Sequence, residues 1–253
     1  MNFGVLGTLS VQVDGTVATP RGPKLRKILS LLMLHFDSSV PVSALIRELW
    51  EDEPPSSHIA TLHTHIMHLR QTLAAAAGIS TREISQSVII TRPGGYLFRT
   101  GGGNFDLQDY ERLLAAGREA LRNGRSGEGI DHLRRALGLW RGPALADVPA
   151  GPLVESRIRQ LEESRLIALQ ECVEAQIGQG RYQQAIMQLA AVTAENPLHE
   201  GLHVQHMRAL CLDGRRAEAL TMFRQLRATL IAEIGLEPGP SAQRFQREIL
   251  TGM

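Results

Sequence analysis

A threefold recurrence in the second half of the chain restricts its fold more than any other feature. Gly124-Arg125 is followed by Gly129-Ile130, Gly180-Arg181 by Ala185-Ile186, and Gly214-Arg215 by Ala219-Leu220. Each copy sets a helix-stopping glycine ahead of a small residue beside an aliphatic one, always at the same offset. A glycine that ends one helix in the left-handed region, and a small residue that lets the next helix close against the first, describe a helix pair. The last two copies stand 34 residues apart, the tetratricopeptide period. The first lies 56 residues upstream of the second, which is one period plus an insertion, placed near Trp140 to Pro152. Pro197 ends the second copy. A helix from Phe105 to Asn123 precedes the array, with Leu107, Tyr110, Leu113, Leu114 and Leu121 as its apolar positions.

The first hundred residues have a different rhythm. Phe3 to Val13 alternates like a strand, broken at Gly4 and Gly7. Asp14-Gly15 is a hairpin turn, and Thr16 to Thr19 a short returning strand. Lys24 opens a helix with Leu25, Ile28, Leu29, Leu32 and Phe36 on its core side. Lys24, Arg26 and Lys27 crowd its first turn, where positive charge opposes the helix dipole unless an anion answers it. A DNA phosphate would be such an anion; solvated surface charge is the plainer account. Val40-Pro41-Val42 reads as a link and Ser43 to Trp50 as a helix with Leu45, Ile46, Leu49 and Trp50 in the core. Glu51-Asp52-Glu53-Pro54-Pro55 is a loop, because two prolines forbid helix. A polar connection follows Gly78. Val88 to Thr91 and Tyr96 to Phe98 are strands around the turn Arg92-Pro93-Gly94-Gly95. The glycines at 101–103 read as a linker, and Cys172 and Cys211 as buried thiols of a reducing compartment.

Between the acidic loop and Gly78 lies Ser57 to Ala77, SHIATLHTHIMHLRQTLAAAA, a helix capped by Ser56 or Ser57. On a wheel of 3.6 residues per turn, Ile59, Leu62, Ile66, Leu69 and Leu73 form one apolar stripe. Ser57, Thr61, Thr64, His68 and Gln71 form the opposite side, with His65 the neighbour of His68. An ordinary surface helix shares this periodicity but usually carries Glu–Lys pairs, and this one has no acid at all. Such a helix suits a DNA major groove, its polar side chains reaching base edges or phosphates. Arg70, at the edge of the wheel, is read as gripping a phosphate or an acid. Arg92 at the hairpin tip is read as a phosphate or minor-groove contact. Sheet, three helices and a hairpin, in that order, make a winged helix-turn-helix.

FGVLGTLSV, RGPKLRKILSLLMLH, LIRELWEDEPPSS, TLHTHIMHLRQTL and ITRPGGYLF together resemble the successive motifs of the Streptomyces antibiotic regulatory protein family. DLQDYERL, ALGLWRGPALADV and LEPGPSAQRFQREIL resemble its bacterial transcriptional activation domain. The resemblance implies a mainly α fold with small β elements: an OmpR-like winged helix-turn-helix over 1–100, a linker over 101–105, and an all-α tetratricopeptide-like repeat domain over 106–253. It implies a sequence-specific activator of an antibiotic gene cluster. Two protomers would bind direct repeats near a promoter side by side and recruit RNA polymerase. In OmpR-like proteins the loop corresponding to Glu51, Asp52 and Glu53 faces the polymerase, where three carboxylates suit a basic sigma-factor surface; a soluble turn is the plainer account.

Other function classes find little support. No phosphate loop, GxSxG or HExxH occurs, so no enzyme and no cofactor is expected. His58, His63, His65 and His68 scatter around their wheel; His199, His203 and His206 share a face, read as a polar repeat face rather than a metal site. The net charge of +1 makes no strong field, although a slight basic excess falls in the first hundred residues. No signal peptide is visible, and the longest apolar run, Ile28 to Phe36, is too short for a bilayer. The expectation is a cytoplasmic, nucleoid-associated protein. A helical-repeat scaffold whose N-terminal fold binds protein rather than DNA is the alternative.

Overall fold

The computed structural model describes residues 1–251. The chain opens with β1 (Asn2–Gly4), β2 (Ser10–Val13) and β3 (Thr16–Val17). Asp14 and Gly15 both take positive φ, 48° and 81°, the primed turn that suits the twist of a two-residue hairpin. The run from Phe3 to Val13 is not one strand: it folds back on itself, and Phe3 pairs with Val11. In α1 (Pro23–Leu34), proline in the first turn presets φ, and Ile28, Leu29 and Leu32 are buried. The expected link is strand β4 (Ser39–Pro41), followed by α2 (Val42–Trp50) and α3 (His58–Ala77). Gly78, at φ 63°, ends α3.

The polar connection after Gly78 is a helix, α4 (Thr81–Ser87). Ser80 Oγ accepts from the Glu83 N–H while the Glu83 carboxylate accepts from the Ser80 N–H at 2.8 Å, a capping box that satisfies two donors at once. Then β5 (Ile89–Arg92) and β6 (Gly95–Phe98) form the wing, with β4 joining them in the order β4-β6-β5. Pro93 and a Gly94 at φ 75° give the turn its type II pattern. Residues 104–105 are strand β7 (Asn104–Phe105), which pairs parallel to β1 and completes the sheet β3-β2-β1-β7.

Seven helices follow: α5 (Asp106–Arg122), α6 (Ser126–Leu137), α7 (Pro152–Gly178), α8 (Tyr182–Glu195), α9 (Glu200–Leu212), α10 (Arg216–Ile234) and α11 (Pro240–Thr251). The chain divides into two compact units, and the division does not follow residues 101–105. The first unit comprises residues 1–115 and 135–165. Its inserted stretch is stitched to the N-terminal segment by backbone. Arg141 N–H donates to the Leu6 carbonyl at 2.8 Å and Leu145 N–H to the Val5 carbonyl at 3.1 Å. Asp106 accepts from Val5 and Leu6 N–H and pairs with Arg141 at 2.6 Å; burial nonetheless holds its carboxyl above the ordinary aspartate range. Phe3, Phe36, Phe98 and Phe105 meet in one aromatic cluster, with Phe3 edge-on to Phe98 at 5.0 Å.

Glu48 is the least expected member of this core. It lies on α2, fully buried. Its carboxylate accepts from the N–H groups of Gly151, Leu153 and Val154 at 2.6, 2.9 and 3.1 Å. Those are the orphan donors at the start of α7, and a carboxylate suits the positive end of the helix.

The second unit comprises residues 116–134 and the chain from Leu166 onward. Its three Gly-Arg turns are built alike. Gly124, Gly180 and Gly214 sit at φ 74°, 70° and 80°. The arginine N–H after each donates to a carbonyl five residues back, Ala120, Gln176 and Leu210, at 2.9, 2.9 and 2.8 Å; this is the Schellman closure of a helix. A Cβ on Gly129 would lie 2.5 Å from Leu121 Cδ2, so the first pair needs glycine there. Ala185 and Ala219 are buried in the other two pairs. α9 packs against α8, α10 and α11. The histidine trio is not a polar face. His199 Nδ1 accepts from the Leu202 N–H at the start of α9, whereas His206 is 4% exposed beside Thr193. Cys211 is only half-buried. Burial pushes the Cys172 thiol up to about 11, which keeps it protonated and unreactive.

Candidate nucleic-acid interface

α3 buries Leu62, Ile66, Leu69 and Leu73, joined by Ala74. Ile59, assigned to that stripe from periodicity, is instead 50% exposed. The exposed arc runs through Ala60, His63, Thr64, Met67, His68 and Gln71. It is rotated by about 60° from the line Ser57–Thr61–His68, towards His63 and Met67. The cause is tertiary: α1, α2 and the unforeseen α4 all pack on α3 and cover part of the side that periodicity alone leaves open. Thr61 and His65 are consequently half-buried. His65 Nε2 is enclosed without a hydrogen-bond partner, and burial, then the nearby Lys24 charge, lower its pKa. Ser57 is exposed at the N-cap but makes no side-chain cap bond. Its Oγ lies 3.4 Å from Thr61 Oγ1.

The basic residues fall into two groups. Lys24 and Arg92 are exposed and Lys27 is half-buried. The Lys24 ammonium lies 5.1 Å from the centre of the Trp50 ring, so Trp50 is a half-exposed platform rather than a core residue. Arg26 and Arg70 are engaged within the protein, against expectation. Arg26 is ion-paired with Asp147, its side chain 15% exposed. Arg70 forms no ion pair with an acid among the described residues. Its guanidinium donates twice to the Ile89 carbonyl, at 3.0 and 2.7 Å, and once to Thr91 Oγ1 at 2.8 Å, and it lies against the Tyr96 ring. Arg70 therefore bolts α3 to the wing strand that ends in Arg92. Glu51, Asp52 and Glu53 are fully on the surface, with Glu51 at a positive φ of 54°.

Residues 105–250 match the family described as bacterial transcriptional activator domain, and residues 18–98 that described as transcriptional regulatory protein, C terminal. Regulatory protein DnrI of Streptomyces peucetius is 40% identical over 99% of this chain and 92% of its own length. The chain belongs to the Streptomyces antibiotic regulatory protein family. It is a DNA-binding transcriptional activator of that family, with an OmpR-type winged helix ahead of a repeat-built activator domain. The solved structure of Mycobacterium tuberculosis EmbR in complex with a low affinity phosphopeptide superimposes with a TM-score of 0.83 at 35% identity, covering 99% of this chain and 65% of that one. Regulatory protein AfsR of Streptomyces coelicolor is also 35% identical, but there the chain spans 24% of the relative's length.

Within the regulator, sequence periodicity misses His63 and Met67 on the exposed arc, and Glu48 and Arg70 as internal fasteners. No helix is long and apolar enough to cross a membrane, and no group of three metal-capable side chains is assembled, among the described residues. Arg70→Ala removes three hydrogen bonds and a ring contact. It should cost about 2 kcal/mol of stability and make the wing more open to hydrogen exchange than α1. Unchanged exchange at Ile90 and Thr91 would show that the bolt is unimportant.

Proposed function

We propose that this activator binds direct repeats near the promoters of an antibiotic gene cluster, two protomers side by side, and recruits RNA polymerase there. One observation carries the reading. The exposed arc of α3 has no acidic side chain, and Arg70 fastens it to the wing that carries Arg92. A helix for the major groove and a basic hairpin for the flanking backbone are thereby held as one rigid reader. His68 and Gln71 serve as base-edge contacts, with Ser57 and Thr64 beside them. Lys24, Lys27 and Arg92 serve as phosphate contacts. The exposed carboxylates Glu51 to Glu53 serve as the polymerase contact, towards the sigma factor.

Footprinting on the regions upstream of neighbouring genes tests this. Two adjacent protected repeats are the expected result. His68→Ala and Gln71→Ala should each cost about 1–3 kcal/mol on that operator and leave non-specific binding unchanged. Lys24→Ala and Arg92→Ala should weaken binding to all sequences and lower the salt slope by about one each. Replacing Glu51, Asp52 and Glu53 by Ala should leave DNA binding intact and lower transcription. A chain with no affinity for promoter DNA even at low salt would be a protein-binding scaffold instead.

A further inference from the structure

The apex of the α3 arc is apolar. Ala60, Thr64 and Met67 follow one another at i, i+4 and i+7, so they stand in one line along the helix. Ile59, next to Ala60 in sequence, projects about 100° round the helix from that line. Met67 is 55% and Ile59 50% exposed, and neither has a core to fill. The Thr64 hydroxyl donates to the Ala60 carbonyl at 3.0 Å within its own helix, so it brings no free proton to a base. No arginine or lysine lies on this line, and the helix's one arginine, Arg70, is committed to Ile89 and Thr91. In the major groove, guanine is read best by an Arg or Lys fork, whereas what marks thymine is a methyl group open to apolar contact.

We propose that Met67, with Ala60 two turns away on the same line, reads thymine C5-methyl groups, so that each operator repeat carries thymine under the middle of α3. The inference rests on α3 being the recognition helix. It adds which base chemistry that helix selects. Its energetic source is plain: a thioether chain and a methyl leave water together, without a hydrogen bond to lose.

The test uses the full chain and a duplex of the footprinted operator in which deoxyuridine replaces each thymidine in turn, so that only the methyl is removed. One or two positions per repeat should lose about fourfold in affinity, the worth of one buried methyl. Met67→Ala should lose a similar factor on the thymine operator and lose nothing further when uracil occupies that position. Met67→Leu should retain most of the affinity. Equal binding of every uracil duplex, with His68→Ala and Gln71→Ala still impaired, would overturn the methyl readout and leave α3 as the recognition helix. A chain that footprints nowhere would overturn both together.

Discussion

Glu48→Ala should destabilise the first unit by about 3–5 kcal/mol, the range for breaking a buried charge-assisted network. The carboxylate is fully buried and holds three backbone N–H groups, those of Gly151, Leu153 and Val154. Its removal strands donors that water cannot reach and opens a cavity where the side chain stood. Glu48→Gln does little better, because one arm of the amide presents protons to donors. The surroundings cannot relax around a bulkier N-cap either: a Cβ on Gly151 would run into the Glu48 carbonyl and lie 2.7 Å from its carboxylate. Urea unfolding of the purified variants measures the loss, with Glu51→Ala as a surface control that should move stability by less than about 0.5 kcal/mol. A Glu48→Ala protein within about 1 kcal/mol of wild type would show that other groups satisfy the start of α7.

Acid should weaken the second unit through His206. Its imidazole lies in the interior beside Thr193, and burial, then His203, then Arg215, lower its pKa to about 4 from an ordinary 6.5. A group depressed in the folded state contributes its full stability above its unfolded pKa. The contribution is lost as pH falls towards the folded value. The window is therefore pH 6.5 down to about 4, and the integrated loss is about 3 kcal/mol. His203, also depressed chiefly by burial, adds in the same direction. Chemical unfolding followed across that range should show the decline. His206→Leu, which fills the site with a side chain that cannot take up a proton, should flatten it. A His206→Leu protein that loses stability over the window as steeply as wild type would mean that carboxylates elsewhere dominate the acid response.

The regulator's architecture was open to reading wherever a local signal carries its own geometry. The Gly-Arg recurrence announced three helix closures because only a left-handed glycine makes that turn cheaply. Asp14-Gly15 and Pro93-Gly94 announced their hairpins for the same reason. Ser80 and Glu83 held the capping signature of α4 in plain view, and a polar surface composition hid it. The acid-free stretch from Ser57 to Ala77 was legible as a helix with a partly buried stripe, since periodicity and charge are properties of neighbours along the chain.

What periodicity does not contain is which neighbours arrive from elsewhere. α1, α2 and α4 turned the open side of α3 by about 60°, which exposed His63 and Met67 and withdrew Thr61 and His65. Arg26 and Arg70, basic residues apparently free for phosphate, found Asp147, 121 positions away, and the Ile89 carbonyl, 19 positions away. Glu48 reads as one more polar position on a helix until α7 brings its unpaired N–H groups to it. Local order was thus written in the chain by itself. The partners of its charged side chains were decided only in three dimensions, because a buried charge must find its counterpart wherever the fold delivers one.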